Sequence, residues 1–292
     1  MTPDELVDLT ERYRRDGFVH ARGLLPADEV RRLAAAVDHA VTTRKARDTR
    51  PLEEKTPYEQ SFIQCQYIWE DFPDVRPLTF HQSLGQALGA LLGAERVRLW
   101  HDQALYKEPG GRETEAHQDH AYWPIAEADT ITAWIPLCDV DHETGCMGYV
   151  PGSHVGDLAY VDIFRTPGAG QTLMQRQAAD PVFVPCGPGD VIFHHGRTVH
   201  LAKPNRSDRM RRAYTAIYFK DGCTRGTDRP HPSVDRDGIA MGQKIDGKAT
   251  PVVWPLPDGR FPDPAPWPET DDQRFHERRQ RGTIPGSASK QA

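Results

Sequence analysis

The residues in this chain best suited to chemistry are His117 and Asp119, separated by Gln118. On a strand, positions i and i+2 project from one face, so an imidazole and a carboxylate would stand side by side. That pair suits Fe(II), Mn or Zn and leaves several coordination positions to fill. A His-x-Asp triplet is common, and most of the 13 histidines must be ordinary surface or core residues, so the pair gains meaning only from a third ligand on a distant strand. The segment GDVIFHHGRTVHLAKPNRSDRMRRAYTAIYF (189–219) offers His194, His195 and His200. His194 and His195 stand immediately before Gly196, at a turn, whereas His200 closes the apolar TVHL segment. His200 is preferred because of the loop and arginines downstream of it.

The loop KPNRSDRM (203–210) can turn the chain back, so that Arg211 begins the next strand. In an antiparallel hairpin His200 and Arg211 would lie near each other across the ladder. An arginine beside a metal is a carboxylate clamp, because its planar fork binds a carboxylate bidentately. A 2-oxo acid could chelate the metal through its keto-acid end and rest its far carboxylate on Arg211. The competing reading, a solvated charged edge, fits two of Arg209, Arg211 and Arg212.

The elements that must position these residues change character along the chain. The first ~95 residues look helical, with Pro26 at a first-turn position, Val30, Leu33, Val37 and Val41 at 3–4 spacing, then Leu84, Leu88, Leu91 and Leu92 ending at Gly93. Between them 44–60 is polar and turn-rich, an expected exposed loop. From residue 97 short β-branched and aromatic segments alternate with turns: VRLWHDQALYK, DTITAWIPL, MGYV, PVFVP, GDVIFHH, TVHL and RRAYTAIYF. Such spacing indicates an all-β sandwich or barrel rather than βαβ units. After Asp221 the chain is rich in proline and glycine. The expectation is one domain over 1–285, with a helical part (about 1–95), a β core (about 97–220), irregular decoration (221–285) and a frayed tail at 286–292.

The 292 residues are 38% hydrophobic with six Trp, nine Tyr and ten Phe, too apolar for a disordered chain. No run approaches the ~18 uncharged apolar residues of a membrane span. A net charge of −6 argues against nucleic acid as a partner. The N-terminus lacks a basic region followed by an apolar stretch, and the five scattered cysteines never form a CxxC pair. Both features fit a cytoplasmic protein with reduced thiols.

HQD (117–119), VPGSH (150–154), GDVIFHHGRTVH (189–200) and NRSDRMRRA (205–213), in this order and spacing, resemble the phytanoyl-CoA dioxygenase-like family. DGFVHARGLLPADEVRRL (16–33) and HDQALYKEPGG (101–111) are similar to that family too. The resemblance covers roughly residues 10–220. It implies a double-stranded β-helix (jelly-roll, cupin-like) and an enzyme that uses Fe(II), 2-oxoglutarate and O2. Carried over by position, it implies His117, Asp119 and His200 as iron ligands and Arg211 as the partner of the 2-oxoglutarate C5 carboxylate. Trp134 matches an aromatic beside the co-substrate in some members. Tyr122 and Trp123 fall where members place substrate-facing residues.

Many members carry Ser or Thr two residues after the distal His to bond 2-oxoglutarate; here that position is Ala202. Gln103 and Lys107, in phase on the preceding strand, are the candidate replacements. Related halogenases replace the carboxylate ligand with a small residue, so Asp119 favours hydroxylation, with succinate and CO2 released. Desaturation, epimerisation, cyclisation and halogenation are alternative outcomes at the same centre. The substrate is expected to be a small organic molecule, in keeping with a bacterial specialised-metabolism enzyme. It would be met by loops 44–66, 121–127, 155–178 and 222–250, which carry Tyr58, Phe164, Arg165 and Arg225, with Tyr67 and Trp69 just beyond the first. Two readings from other classes are a non-enzymatic jelly-roll binding module and a zinc hydrolase. The first leaves the spacing of Arg211 after His200 unexplained, and the second makes an arginine clamp superfluous.

Overall fold

Eleven strands form among the residues described by the computed structural model, which are 2–164 and 166–268. They are β1 (Phe18–Ala21), β2 (Ile63–Gln66), β3 (Val97–Lys107), β4 (Thr114–His117), β5 (Thr130–Pro136), β6 (Met147–Tyr149), β7 (Val182–Val184), β8 (Val191–His195), β9 (His200–Ala202), β10 (Arg211–Lys220) and β11 (Val252–Trp254). Seven join one sheet in the order β1-β8-β5-β10-β3-β11, with β2 also pairing β3; the other four form the sheet β4-β9-β6-β7. All pairings between these strands are antiparallel. This is the double-stranded β-helix with a helical N-terminal layer that the sequence leads one to expect.

Alternation along the strands divides the large sheet into two faces. Ile131, Ala133, Ile135, Val191, Phe193, Tyr214, Ala216 and Tyr218 pack outward into one core with the helices. Trp134, Ile192 and Ala213 point the other way, toward the small sheet and its Met147, Tyr149 and Ala202. The helix Pro3–Asp16 starts with a Thr2–Glu5 capping box and ends at Gly17, whose φ of 79° is open to glycine without strain. The helix Ala27–Lys45 buries Val30, Ala34, Val37, Ala40 and Val41, and Gln82–Leu92 buries Leu84, Leu88 and Leu91 before a left-handed Gly93.

Three expectations change. The N-terminal part is not purely helical, since β1 and β2 add strands to both sides of the large sheet. Residues 44–60 are not simply an exposed loop: Thr56 caps a short helix, Pro57–Ser61, that buries Tyr58. The C-terminal decoration contributes β11, and Trp254 packs on the helix Gln82–Leu92 so closely that a Cβ at Gly85 would lie 2.7 Å from its ring. The added strands depend on long-range pairings that local patterning does not carry, whereas the Thr56–Glu59 capping box is a local signal. All five cysteines are free. No described helix is long and apolar enough to cross a membrane. Arg165, the end of the decoration and the tail 286–292 lie outside the described residues.

Asp102 ties the helical layer to the large sheet. Its Oδ2 accepts from the Trp69 backbone N–H (2.9 Å) and the Tyr214 phenol (3.0 Å), while Oδ1 has no partner. Burial lifts this carboxyl to about 7, well above its unfolded value near 3.9. The folded chain therefore keeps a proton that the unfolded chain has released. The resulting stability is complete below about pH 4 and is lost as pH rises through about 7. Asp102→Asn should flatten the fall in urea midpoint between pH 5 and 8; a slope equal to wild type would contradict this.

Candidate active site

β4 ends at His117 and Asp119 opens a 3-10 turn, Asp119–Tyr122, so the carboxylate is not on the strand as expected. Gln118 remains extended (φ −124°, ψ 120°), and this preserves the alternation for one more residue. His117 and Asp119 therefore still share a side. His200 opens β9 rather than closing a strand, and it stands in register with His117. Each imidazole donates its Nδ1 proton to a backbone carbonyl: His117 to Glu115 (2.7 Å) and His200 to Thr198 (3.0 Å). Nε2 of both rings consequently carries the lone pair a metal needs.

His117 Nε2 lies 3.5 Å and His200 Nε2 3.6 Å from Asp119 Oδ1. Among the described residues these three form the one cluster whose ligand atoms, all within 4.8 Å of one another, could hold a metal ion. Asp119 Oδ2 is held away from this point by the Thr132 hydroxyl and His194 Nε2, each donating at 3.1 Å. Burial alone would raise the Asp119 carboxyl, but the imidazoles around it, His200 first and His194 through its hydrogen bond, hold it well below the usual range. Burial, followed by the neighbouring His117, keeps His200 neutral. With both Nδ1 atoms donating to backbone carbonyls, the donor set offers two Nε2 lone pairs and one carboxylate, the form that metal binding requires.

The two competing histidines resolve differently. His194 faces the site but serves as a donor to Asp119. His195 points to the other face, against Tyr13 and His154, and burial brings its imidazole down to about 3. Sequence reasoning misses Thr132, although its position two residues before Trp134 places it on the same face.

Arg211 is not a hairpin neighbour of His200. The loop between them carries the chain from the small sheet to the large one, where β10 pairs with β3 and β5. Asn205 braces this loop by donating to the Lys107 and Arg209 carbonyls. Arg211 and Lys107 face each other in register, both fully buried. The Arg211 guanidinium lies 5.5 Å from the Trp134 ring, and burial lowers it to about 10. Its Nε and Nη1, and the Trp134 Nε1, have no partner. Native proteins rarely leave such donors unsatisfied. A carboxylate could accept from one edge of this guanidinium and from the indole, so the residues present fit the distal end of 2-oxoglutarate.

Lys107 is also buried, and its ammonium donates to the Arg112 carbonyl and the Thr114 hydroxyl; burial and the adjacent Arg211 push it well below its usual value. Gln103 stands opposite Thr215, itself opposite Trp134. Its Oε1 accepts from Gln64 (2.5 Å) and Gln66 (3.4 Å), which leaves its amide N–H groups for the cavity.

Five rings form a rim beside His117. Tyr122 lies 6.0 Å from that imidazole and contacts Tyr160 and Phe164; Phe164 contacts Tyr58, and Tyr58 contacts Phe62. Trp123 is not among them and packs toward Trp100, Ile125 and Ile217. The loop bearing Tyr160 and Phe164 is pinned to the metal-binding strand. Gln118 accepts from Ala159 N–H (2.8 Å), Glu115 accepts from Gly168 and Gly170, and Tyr122 donates to Val161. A Cβ on Gly170 would lie 2.6 Å from the Ala116 nitrogen, so this approach needs glycine. The only sequence signal for Gln118 in this role is its place between two ligands.

Residues 13–213 match the family model described as phytanoyl-CoA dioxygenase. Phytanoyl-CoA dioxygenase domain-containing protein 1 of Bos taurus is 24% identical over 263 residues, covering 74% of this chain and 89% of its own. A methylphosphonate hydroxylase of Gimesia maris is 25% identical, covering 71% and 78%. Among solved structures, the α-ketoglutarate-dependent carbocyclase SnoK from nogalamycin biosynthesis superposes with a TM-score of 0.70 at 29% identity, covering 86% of this chain and 96% of that one. The epimerase SnoN, solved with Fe3+, α-ketoglutarate and nogalamycin RO, gives 0.70 at 28%, covering 86% and 100%. By sequence, fold and the chemistry of its inner face, the chain belongs to the phytanoyl-CoA dioxygenase family of iron- and 2-oxoglutarate-dependent oxygenases.

Proposed function

We propose that this chain hydroxylates a small organic molecule, a specialised metabolite, with His117, Asp119 and His200 holding Fe(II) and Arg211 holding the C5 carboxylate of 2-oxoglutarate. The observation that carries this reading is the Arg211 guanidinium, buried between the sheets with two N–H atoms unpartnered. When bound, iron and 2-oxoglutarate supply the oxidising chemistry, consuming O2 and releasing succinate and CO2. The chain supplies geometry and exclusion of water.

His117 and His200 present lone pairs fixed by their Nδ1 hydrogen bonds, and Asp119 presents Oδ1 alone because Oδ2 is occupied. These three groups would hold Fe(II), and the space between them and Arg211 would take the co-substrate. Trp134 backs the clamp, Lys107 adds positive charge beside it, and Gln103 offers its amide to the cavity. Tyr122 and its neighbouring rings form the wall a substrate meets; Trp123 acts through packing behind that wall. A zinc hydrolase has no use for the clamp, and a binding module has none for the Asp119 hydrogen-bond arrangement.

A second outcome has support of its own. Two solved relatives at 28–29% identity are an epimerase and a carbocyclase, so the same site is suited to ring closure or epimerisation where substrate placement directs it.

Incubated with Fe(II), 2-oxoglutarate and air, the chain should release succinate, and Asp119→Ala should abolish this. Arg211→Ala should raise the 2-oxoglutarate KM about a hundredfold, the scale of losing a bidentate charged pair. Succinate release that survives both changes would refute the assignment. Losing one donor to Asp119, in His194→Phe, should weaken Fe(II) binding by about 10- to 100-fold in anaerobic titration, with His194→Gln recovering part of the loss. Unchanged Fe(II) affinity in the phenylalanine variant would remove His194 from the account.

A further inference from the structure

Tyr149 is completely buried on β6, and its hydroxyl has no hydrogen-bond partner. Its ring is explained by packing, since it stacks on Phe18 at 4.9 Å and sits against His194 and His200. Phenylalanine would make the same contacts and bury no unsatisfied oxygen. The hydroxyl therefore needs another reason. Tyr149 shares one buried cluster with Trp134, Ile192, Ala202 and Ala213. On the small sheet it pairs with His200, while Ala202, two residues along β9, pairs with Met147. Ala213 stands two residues along β10 from Arg211 and so shares its face, and Trp134 carries the guanidinium, so the phenol and the guanidinium border the same inter-sheet space.

We propose that the Tyr149 hydroxyl donates to the C5 carboxylate of 2-oxoglutarate, supplying from β6 the hydroxyl that β9 lacks at Ala202. This rests on the reading of Arg211 as the clamp. Trp134 Nε1 and Tyr149 Oη then add unpartnered donors to those of the Arg211 guanidinium, whose Nε and Nη1 lack partners too. A carboxylate has about four lone-pair sites, so it can accept from one edge of the guanidinium and from both neighbouring side chains. Of the two candidate replacements on β3, Lys107 is already engaged with Arg112 and Thr114, while Gln103 accepts through its oxygen from Gln64 and Gln66.

The test is anaerobic calorimetry of the Fe(II)-loaded chain with 2-oxoglutarate and with 2-oxobutyrate, which lacks the distal carboxylate. Tyr149→Phe should weaken 2-oxoglutarate about 10- to 100-fold, the scale of one hydrogen bond to a charged group. It should leave 2-oxobutyrate and Fe(II) affinities unchanged. Adding Ala202→Ser to that variant should recover part of the loss. Without ligand, Tyr149→Phe should unfold at no lower a urea concentration than wild type. Equal 2-oxoglutarate affinity in Tyr149→Phe, or equal weakening of both acids, would overturn the proposal while leaving the clamp intact. A wild-type chain that binds no 2-oxoglutarate would overturn the clamp reading and this proposal together.

Discussion

A guanidinium sealed between two sheets with no protein carboxylate beside it sets the terms for the rest of the structure. A buried charge left without a partner is strongly destabilising, and Arg211 faces the buried Lys107 amine across the β3–β10 ladder, which burial and the guanidinium push well below its usual value. Among the described residues neither forms a salt bridge, and the groups that act on Arg211 are thiols and a phenol. The fold accommodates this by stacking the guanidinium on Trp134 and giving the Lys107 ammonium two oxygen acceptors. Under the proposed assignment, a ligand carboxylate would supply the partner that the guanidinium lacks in the free protein.

The opposite end of the same space is organised around a single carboxylate. Asp119 divides its oxygens: Oδ2 accepts from Thr132 and His194 on the large sheet, and Oδ1 faces His117 and His200. The proposed metal position would thus lie where the two sheets meet. His117 and His200 come from adjacent strands of the small sheet, while the donors that orient Asp119 come from adjacent strands of the large one. The strand that carries His117 also holds the loop bearing Tyr160 and Phe164 through Glu115, and Gln118 holds it between the two ligands. That loop and the His117–Asp119 segment are therefore joined by hydrogen bonds.

The chemistry was legible where it rests on local alternation. His117 and Asp119 share a side, Gln103 and Lys107 lie on the inner face of β3, and the bounds of β3 and β10 follow the aromatic and β-branched runs. Pairing was less legible. An eight-residue loop after His200 reads as a hairpin, but in a double-stranded β-helix it transfers the chain between sheets, and β9 and β10 find partners far away in sequence. β2 and β11 join β3 for the same reason, although neither segment stands out locally. His194 shows that type and position can both be right while the role is not: it reaches Asp119 by offering a proton rather than a lone pair. Tyr149 left no local signal, because only the buried surroundings reveal an unsatisfied hydroxyl.

The most direct measurement is anaerobic titration of the metal-free chain with Fe(II) and 2-oxoglutarate, following the weak visible charge-transfer absorption of the chelate. The account predicts a band that requires both additions, is absent in Asp119→Ala and needs far more 2-oxoglutarate in Arg211→Ala. A folded, iron-loaded wild-type chain that shows no band at saturating 2-oxoglutarate would contradict it.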